Sequence, residues 1–184
     1  MKVLVACEFS GVVRRAFRER GHDAFSCDLA PSLDGSPHHI TGDCLPLLDG
    51  SWDLVIAHPP CTCLSGAGAW LARGRLPAVE AAFDFVCEIA FRGGSRLCIE
   101  NPAGFLTKML RPPDQYVHPF QFGDAFKKRT GLWLRGLPRL VPTHELVDGA
   151  RWVDLVPPGP DRRAIRSVFF SGMAAAMADQ WGQL

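Results

Sequence analysis

Apolar residues along the first hundred positions come in short unbroken runs separated by stretches of helical periodicity. Lys2 to Cys7 is Val-rich and apolar throughout, the pattern of a strand buried on both faces. From Val12 to Arg20 the apolar positions Val12, Val13, Ala16 and Phe17 recur at helical spacing, and Gly21 stands where a helix would stop. His22 to Cys27 predicts a second strand ending at Asp28, and Trp52 to Ala57 a third, halted by Pro59-Pro60. Val79 to Phe91 predicts a helix, and Arg96 to Ile99 a fourth strand running into Glu100-Asn101-Pro102. Val117 to Phe122 and Gly131 to Leu134 follow as strands, and Gly172 to Gln183 as a closing helix. Residues 138–163 hold five prolines and predict an ordered loop or small excursion within the domain.

Strands alternating with helices imply an α/β fold with a mostly parallel central sheet, in which ligands sit beyond the carboxyl ends of the strands. The unusual polar residues fall at those ends: Glu8-Phe9-Ser10-Gly11, Asp28, His58-Pro59-Pro60-Cys61 and Glu100-Asn101-Pro102. At 184 residues the chain is the length of one domain, and 1–184 is read as one. A hydrophobic fraction of 47% with 21% charged residues excludes the disordered and fibrous classes. No apolar run reaches the ~18 residues that span a bilayer, and no cleavable leader follows Met1, so a cytoplasmic protein with no membrane partner is expected.

Seven cysteines cannot all pair, and most lie in apolar runs, which predicts reduced thiols. The net charge of +1 gives no global attraction for nucleic acid. Local clusters remain: Arg14, Arg15, Arg18 and Arg20; Lys127-Lys128-Arg129; and Arg162-Arg163 with Arg166. Each is either a solvated face or a source of phosphate contacts.

Cys61 follows two prolines at a strand end, which presents its thiol to the ligand rim. Glu100 ends the next strand, where a carboxylate must be solvated, paired or used. A thiolate that adds to carbon 6 of a pyrimidine, beside an acid that hydrogen-bonds the ring nitrogen and exocyclic amine, makes carbon 5 electron-rich. If the chain stays extended past Pro60, Cys61 and Cys63 share a face, and geometry alone does not separate them. A zinc-dependent nucleobase deaminase is the rival chemistry, since His58, Cys61 and Cys63 are close; Cys61-Thr62-Cys63 is one residue short of the usual Cys-x-x-Cys. A non-catalytic nucleic-acid or partner-binding protein on the same fold is the second rival.

Taken in order, these segments resemble the motifs of the DNA cytosine carbon-5 methyltransferase family. Phe9-Ser10-Gly11-Val12 is similar to its first cofactor loop, Asp28 to its ribose-holding acid, and Gly42-Asp43 to the segment meeting adenine. Pro60-Cys61-Thr62-Cys63-Leu64-Ser65 resembles the nucleophile loop and Glu100-Asn101-Pro102 the Glu-Asn dipeptide. Lys128-Arg129-Thr130 resembles a basic segment that contacts the target base, and Gly172-Met173-Ala174 to Trp181-Gly182 the closing helix.

The resemblance implies a class I S-adenosylmethionine-dependent methyltransferase sandwich, Rossmann-like, acting on a pyrimidine and foremost on cytosine in DNA. It implies Cys61, Glu100 and Arg129 as catalytic residues and no metal. It implies that Glu8, Phe9, Ser10, Gly11, Asp28, Asp43 and Pro59 hold S-adenosyl-L-methionine. Val13 stands where the family usually has a second glycine, and Thr62 where it has glutamine. The large target-recognition domain usual in the family is missing between the basic segment and the closing helix. That loss suits single-stranded DNA or a pyrimidine nucleotide as substrate.

Overall fold

A computed structural model of the chain describes residues 1–65, 76–145, 148–151, 155–157, 159 and 162–184. Its centre is a seven-stranded sheet of β1 (Lys2–Ala6), β2 (Asp23–Asp28), β3 (His39–Thr41), β4 (Leu54–Ala57), β5 (Leu97–Pro102), β6 (Gln115–Val117) and β8 (Thr130–Arg135). The spatial order is β3-β2-β1-β4-β5-β8-β6. The first five strands in that order are mutually parallel, and β8 is antiparallel to both its neighbours. Strands β7 (Phe126–Lys127) and β9 (Ala150–Arg151) form a separate parallel pair. The helices are α1 (Val12–Glu19), α2 (Leu76–Arg92), α3 (Phe105–Met109), α4 (Arg162–Ser167) and α5 (Ser171–Trp181).

Two-residue alternation in the strands divides the core in two. Val3, Val5, Leu54, Ile56 and Cys98 face α1 and α5, packing with Phe17, Met173, Met177 and Trp181. Leu4, Ala6, Val55, Ala57, Leu97 and Ile99 face the opposite side, where α2 contributes Val86 and Ile89. Both faces of the parallel strands are covered, which is why their sequences read as unbroken apolar runs. Each fully buried Leu, Ile or Phe in these layers contributes roughly 1.5–3 kcal/mol. The alanines of α5 let it approach α1 closely, and Arg20 in the turn after α1 clasps Asp179 of α5 with Nε 2.5 Å from Oδ1. This is the Rossmann-like α/β sandwich expected.

Two expectations need correction. Only Val117 of the stretch Val117 to Phe122 is in a strand; Pro119 to Phe122 form a 3-10 turn, because Pro119 cannot donate to a sheet and opens a helical turn instead. Residues 138–163 carry the two-residue β9 and the start of α4; Pro158 and Pro160 fall outside the described residues. Among the first arginine cluster, Arg14 is not on a solvated face. Its guanidinium is 1% exposed, bonds Ser26 Oγ at 3.0 Å, and pairs with Asp34.

β1 has β2 on one side and β4 on the other, so chain order reverses between β1 and β4. Open parallel sheets bind ligands beyond the carboxyl ends of the strands at such a switch point. The ends of β1, β2, β4 and β5 therefore converge on one rim. Among the described residues, no helix is long and apolar enough to cross a membrane.

Candidate active site

At the end of β1 the chain turns sharply: Cys7 has φ 60° and Gly11 φ 67°, both in the left-handed region. A Cβ on Gly11 would collide with the Arg14 guanidinium, so the turn requires glycine for space as well as for conformation. Glu8 is buried, and its carboxylate serves as the cap of α1, accepting from Val13 N at 2.6 Å and Arg14 N at 3.2 Å. Ser10 Oγ approaches the same carboxylate at 3.4 Å. Burial pushes Glu8 above the ordinary carboxyl range despite these donors. Glu8 thus shapes the turn with its side chain, and what it offers a ligand is backbone.

Asp28 ends β2, and β3 pairs beside it with Thr41 opposite Asp28. Gly42 N donates to the Asp28 carbonyl at 2.9 Å, which draws the Gly42-Asp43 segment alongside. One carboxylate oxygen of Asp28 accepts from Ala30 N at 2.9 Å, and one of Asp43 from Leu45 N at 3.0 Å. The position beside Gly42 is open space. Leu29, 80% exposed, presents apolar surface next to Asp28. Asp28, Leu29 and Gly42-Asp43 thus lie along one stretch of the rim.

The segment after β4 is fixed from two sides. Asn101 Nδ2 donates to the Pro59 carbonyl at 2.8 Å, and Phe105 N donates to the Leu64 carbonyl at 2.7 Å. Pro59 is buried and its carbonyl is occupied by that bond. The chain does not stay extended past Pro60. It turns back at Thr62-Cys63-Leu64, with Leu64 N and Ser65 N both donating to the Cys61 carbonyl at 3.1 and 2.9 Å. Cys61 opens this turn and Cys63 lies within it, both partly buried.

Glu100 is buried at the end of β5 among three partners. His58 Nδ1 lies 3.3 Å from Oε2, Lys128 Nζ lies 3.8 Å from Oε1, and Thr130 donates a side-chain hydrogen bond. Burial would raise its pKa, yet Lys128, His58 and Thr130 together hold it at about 2, so Glu100 is ionised near neutral pH. Cys61 feels the same charges. Burial pushes its thiol above the ordinary range, Lys128 pulls it down, Glu100 pushes it up, and Arg166 pulls it down more weakly.

Arg129 is not part of this cluster. Lys128, in the connection between β7 and β8, and Thr130, which opens β8, reach Glu100, whereas the Arg129 guanidinium lies 3.9 Å from the centre of the Tyr116 ring. The cation at Glu100 is therefore Lys128. The sequence also concealed the aromatic wall of the site. Phe169 packs on the His58 ring at 4.6 Å and Phe170 lies 5.7 Å from Lys128 Nζ. The adjacent pair Phe169-Phe170 before a closing helix was the available signal. Among the described residues, no group of three His, Cys, Asp or Glu side chains is placed to hold a metal ion.

One measurement tests this electrostatic picture directly. A raised thiol pKa means that alkylation of Cys61 by iodoacetamide should climb roughly tenfold per pH unit below that pKa. Lys128→Gln removes the cation that favours the thiolate and should slow alkylation at fixed pH, as read by mass spectrometry of the Cys61 peptide. An unchanged rate would show that Lys128 does not act on the thiol.

No protein-family model and no curated protein matches the chain. Among solved structures it is similar to an E. coli protein named as a candidate DNA modification methyltransferase encoded within a prophage, at 14% identity and TM-score 0.50. The match covers 88% of this chain and 56% of that one, so the chain spans little more than half the length of its structural neighbour. At this identity the likeness is one of fold alone.

Proposed function

We propose that the protein is an S-adenosylmethionine-dependent methyltransferase acting on carbon 5 of a pyrimidine, with cytosine in DNA the favoured base. The observation that carries this reading is the gathering of the Cys61 thiol and the ionised Glu100 carboxylate around one cation, Lys128, at the carboxyl rim of adjacent parallel strands. Bound beside Asp28, Asp43 and the β1–α1 turn, S-adenosylmethionine supplies an electrophilic methyl group. Cys61, once deprotonated, forms a carbon–sulfur bond at ring carbon 6, and the electron pair of the 5,6 double bond becomes available at carbon 5. Glu100 accepts from the exocyclic amine and stabilises the proton that the ring nitrogen takes from solvent. After methylation the carbon 5 proton passes to water, its electron pair restores the 5,6 double bond, the carbon–sulfur bond breaks to release the Cys61 thiolate, and the ring nitrogen returns its proton to solvent.

A base stacked in a duplex is out of reach of this site, so the target is flipped or single-stranded. Incubation of the protein with S-adenosylmethionine and single-stranded DNA, followed by mass spectrometry of the nucleosides, should yield 5-methyldeoxycytidine. Its absence there, on duplex DNA and on pyrimidine nucleotides would sink the reading.

Asp28 is proposed to accept from the ribose hydroxyls. Asp28→Ala should weaken S-adenosylmethionine binding by about 1.5–3 kcal/mol, the range for a hydrogen bond to a charged group. Asp28→Asn keeps an acceptor for Ala30 N and should fall between wild type and alanine by calorimetry. Equal dissociation constants in all three proteins would refute the assignment.

A further inference from the structure

Three thiols lie along the rim at the ends of β1 and β2, apart from the Cys61 and Glu100 cluster. Each is the chain neighbour of a rim carboxylate: Cys7 precedes Glu8, Cys27 precedes Asp28, and Cys44 follows Asp43. Cys7 Sγ and Cys44 Sγ are in contact at 3.8 Å, although 37 residues separate them in sequence. Cys27 Sγ turns elsewhere, donating to the Gly42 carbonyl at 3.3 Å. Cys44 is buried and Cys7 is partly exposed, so the pair meets solvent through Cys7. Among the described residues, Cys7 alone carries a side chain at a left-handed φ, a conformation unfavourable for a residue with a Cβ. The turn that begins there holds its thiol against Cys44.

The contact also divides the two thiols in acidity. With Cys7 as donor, the Cys44 thiol is held below the ordinary range, while the same bond and burial push Cys7 well above it. Burial pushes Cys27 up to about 12, so it stays protonated near neutral pH. A sulfur with thiolate character in contact with a second thiol is the arrangement of an attacking and a resolving cysteine.

We propose that Cys7 and Cys44 are a redox pair that a peroxide closes to a disulfide, and that closure weakens binding of the methyl donor at the neighbouring rim. In the first step the Cys44 thiolate attacks one peroxide oxygen, the O–O bond breaks, and the hydroxide released is protonated to water. The Cys44 sulfur is oxidised to a sulfenic acid and the peroxide is reduced. Cys7 then loses its proton to solvent, and its sulfur displaces hydroxide from the Cys44 sulfur, which leaves as a second water. Closure shortens the sulfur separation from 3.8 Å to about 2.05 Å. The β1 side is fixed, because Glu8 N bonds the Cys27 carbonyl at 3.0 Å and the Glu8 carboxylate caps α1. The approach therefore falls on residues 42–44, between the end of β3 and the 3-10 turn at Leu45–Asp49, and carries Asp43 with it. The weakening of donor binding rests on the placement of S-adenosylmethionine proposed above; formation of the disulfide does not.

In the test, the folded protein is treated with hydrogen peroxide, free thiols are blocked with iodoacetamide, and peptides are mapped by mass spectrometry without reductant. A Cys7–Cys44 linked peptide, lighter than its parts by two hydrogens and lost on treatment with dithiothreitol, is the expected product. Calorimetry on the same samples should show S-adenosylmethionine bound at least about tenfold more weakly by the oxidised protein, the loss of one hydrogen bond to a charged group. Cys44→Ser and Cys7→Ala keep every other thiol but cannot form this link, so peroxide should leave their affinity unchanged, with circular dichroism checking the fold. Recovery of wild-type affinity on reduction gives the same comparison without a substitution. Absence of the linked peptide, a link to Cys27 instead, or oxidation of Cys44 to a sulfinic acid without linkage overturns the redox pair. A linked protein that binds the donor as tightly as the reduced one overturns the control of binding. A linked protein that binds S-adenosylmethionine in neither state supports the pair and overturns the proposed function.

Discussion

Cys61→Ser is expected to lower methyl transfer by at least about three orders of magnitude, because a serine hydroxyl is almost wholly protonated near neutral pH and adds poorly to a pyrimidine ring. The fold should survive, since serine is close in size to cysteine and the turn Cys61 begins is held by its backbone carbonyl. Binding of S-adenosylmethionine should survive as well, as the Asp28 and Asp43 segments make no use of the thiol. Cys63→Ser is the matched control. Cys63 lies within the turn that Cys61 opens and is assigned no part in the attack, so Cys63→Ser should stay within a few-fold of wild type. A DNA substrate carrying fluorine at carbon 5 supplies a positive signal. Fluorine cannot leave as a proton, so the covalent adduct should persist on wild type and on Cys63→Ser. Mass spectrometry that finds no adduct, or finds it on Cys63, would overturn the mechanism.

The fold could be read from the chain where burial is two-sided. Val3-Leu4-Val5-Ala6 and Leu54-Val55-Ile56-Ala57 pack on helices from both faces, and such runs have no polar alternation to confuse them. It was illegible where an element is short and marginal. Strand β3 carries a single large apolar side chain in His39-Ile40-Thr41, and Ile40 is itself partly exposed. The rim followed from topology, because the carboxyl ends of parallel strands lie together whatever connects them.

Which side chains face the rim did not follow. Glu8 has the composition of a ligand-binding acid, yet its carboxylate satisfies the first backbone amides of α1. Arg14 has the composition of a surface cation, yet it passes beneath Gly11 to reach Asp34, a contact between residues 20 apart in sequence. Lys128 and Arg129 are neighbours in the connection between β7 and β8, yet one reaches Glu100 and the other stacks on Tyr116. Each of these three placements is a side-chain contact made in the folded chain, which the spacing of apolar residues does not encode.

Glu100→Gln should separate recognition of the transition state from everything else the site does. Glutamine keeps the shape and can still accept from the exocyclic amine, but it cannot stabilise a positive charge on the ring. That benefit exists chiefly during attack, so turnover should fall about 10²–10³-fold while S-adenosylmethionine affinity stays within about twofold. Two further signs follow from the charges around the carboxylate. Glu100 opposes ionisation of Cys61, so its neutralisation should lower the thiol pKa and speed alkylation of Cys61 even as turnover collapses. Its own pKa is about 2 in the fold against an ordinary 4.5, so the stability it confers is complete above about pH 4.5 and lost as pH falls toward 2. Acid unfolding should therefore be shallower in Glu100→Gln than in wild type over that window. Faster alkylation with collapsed turnover marks a residue acting on the substrate. Slower alkylation, weakened cofactor binding and lost turnover together would instead mean that Glu100 only holds His58, Lys128 and Thr130 in place.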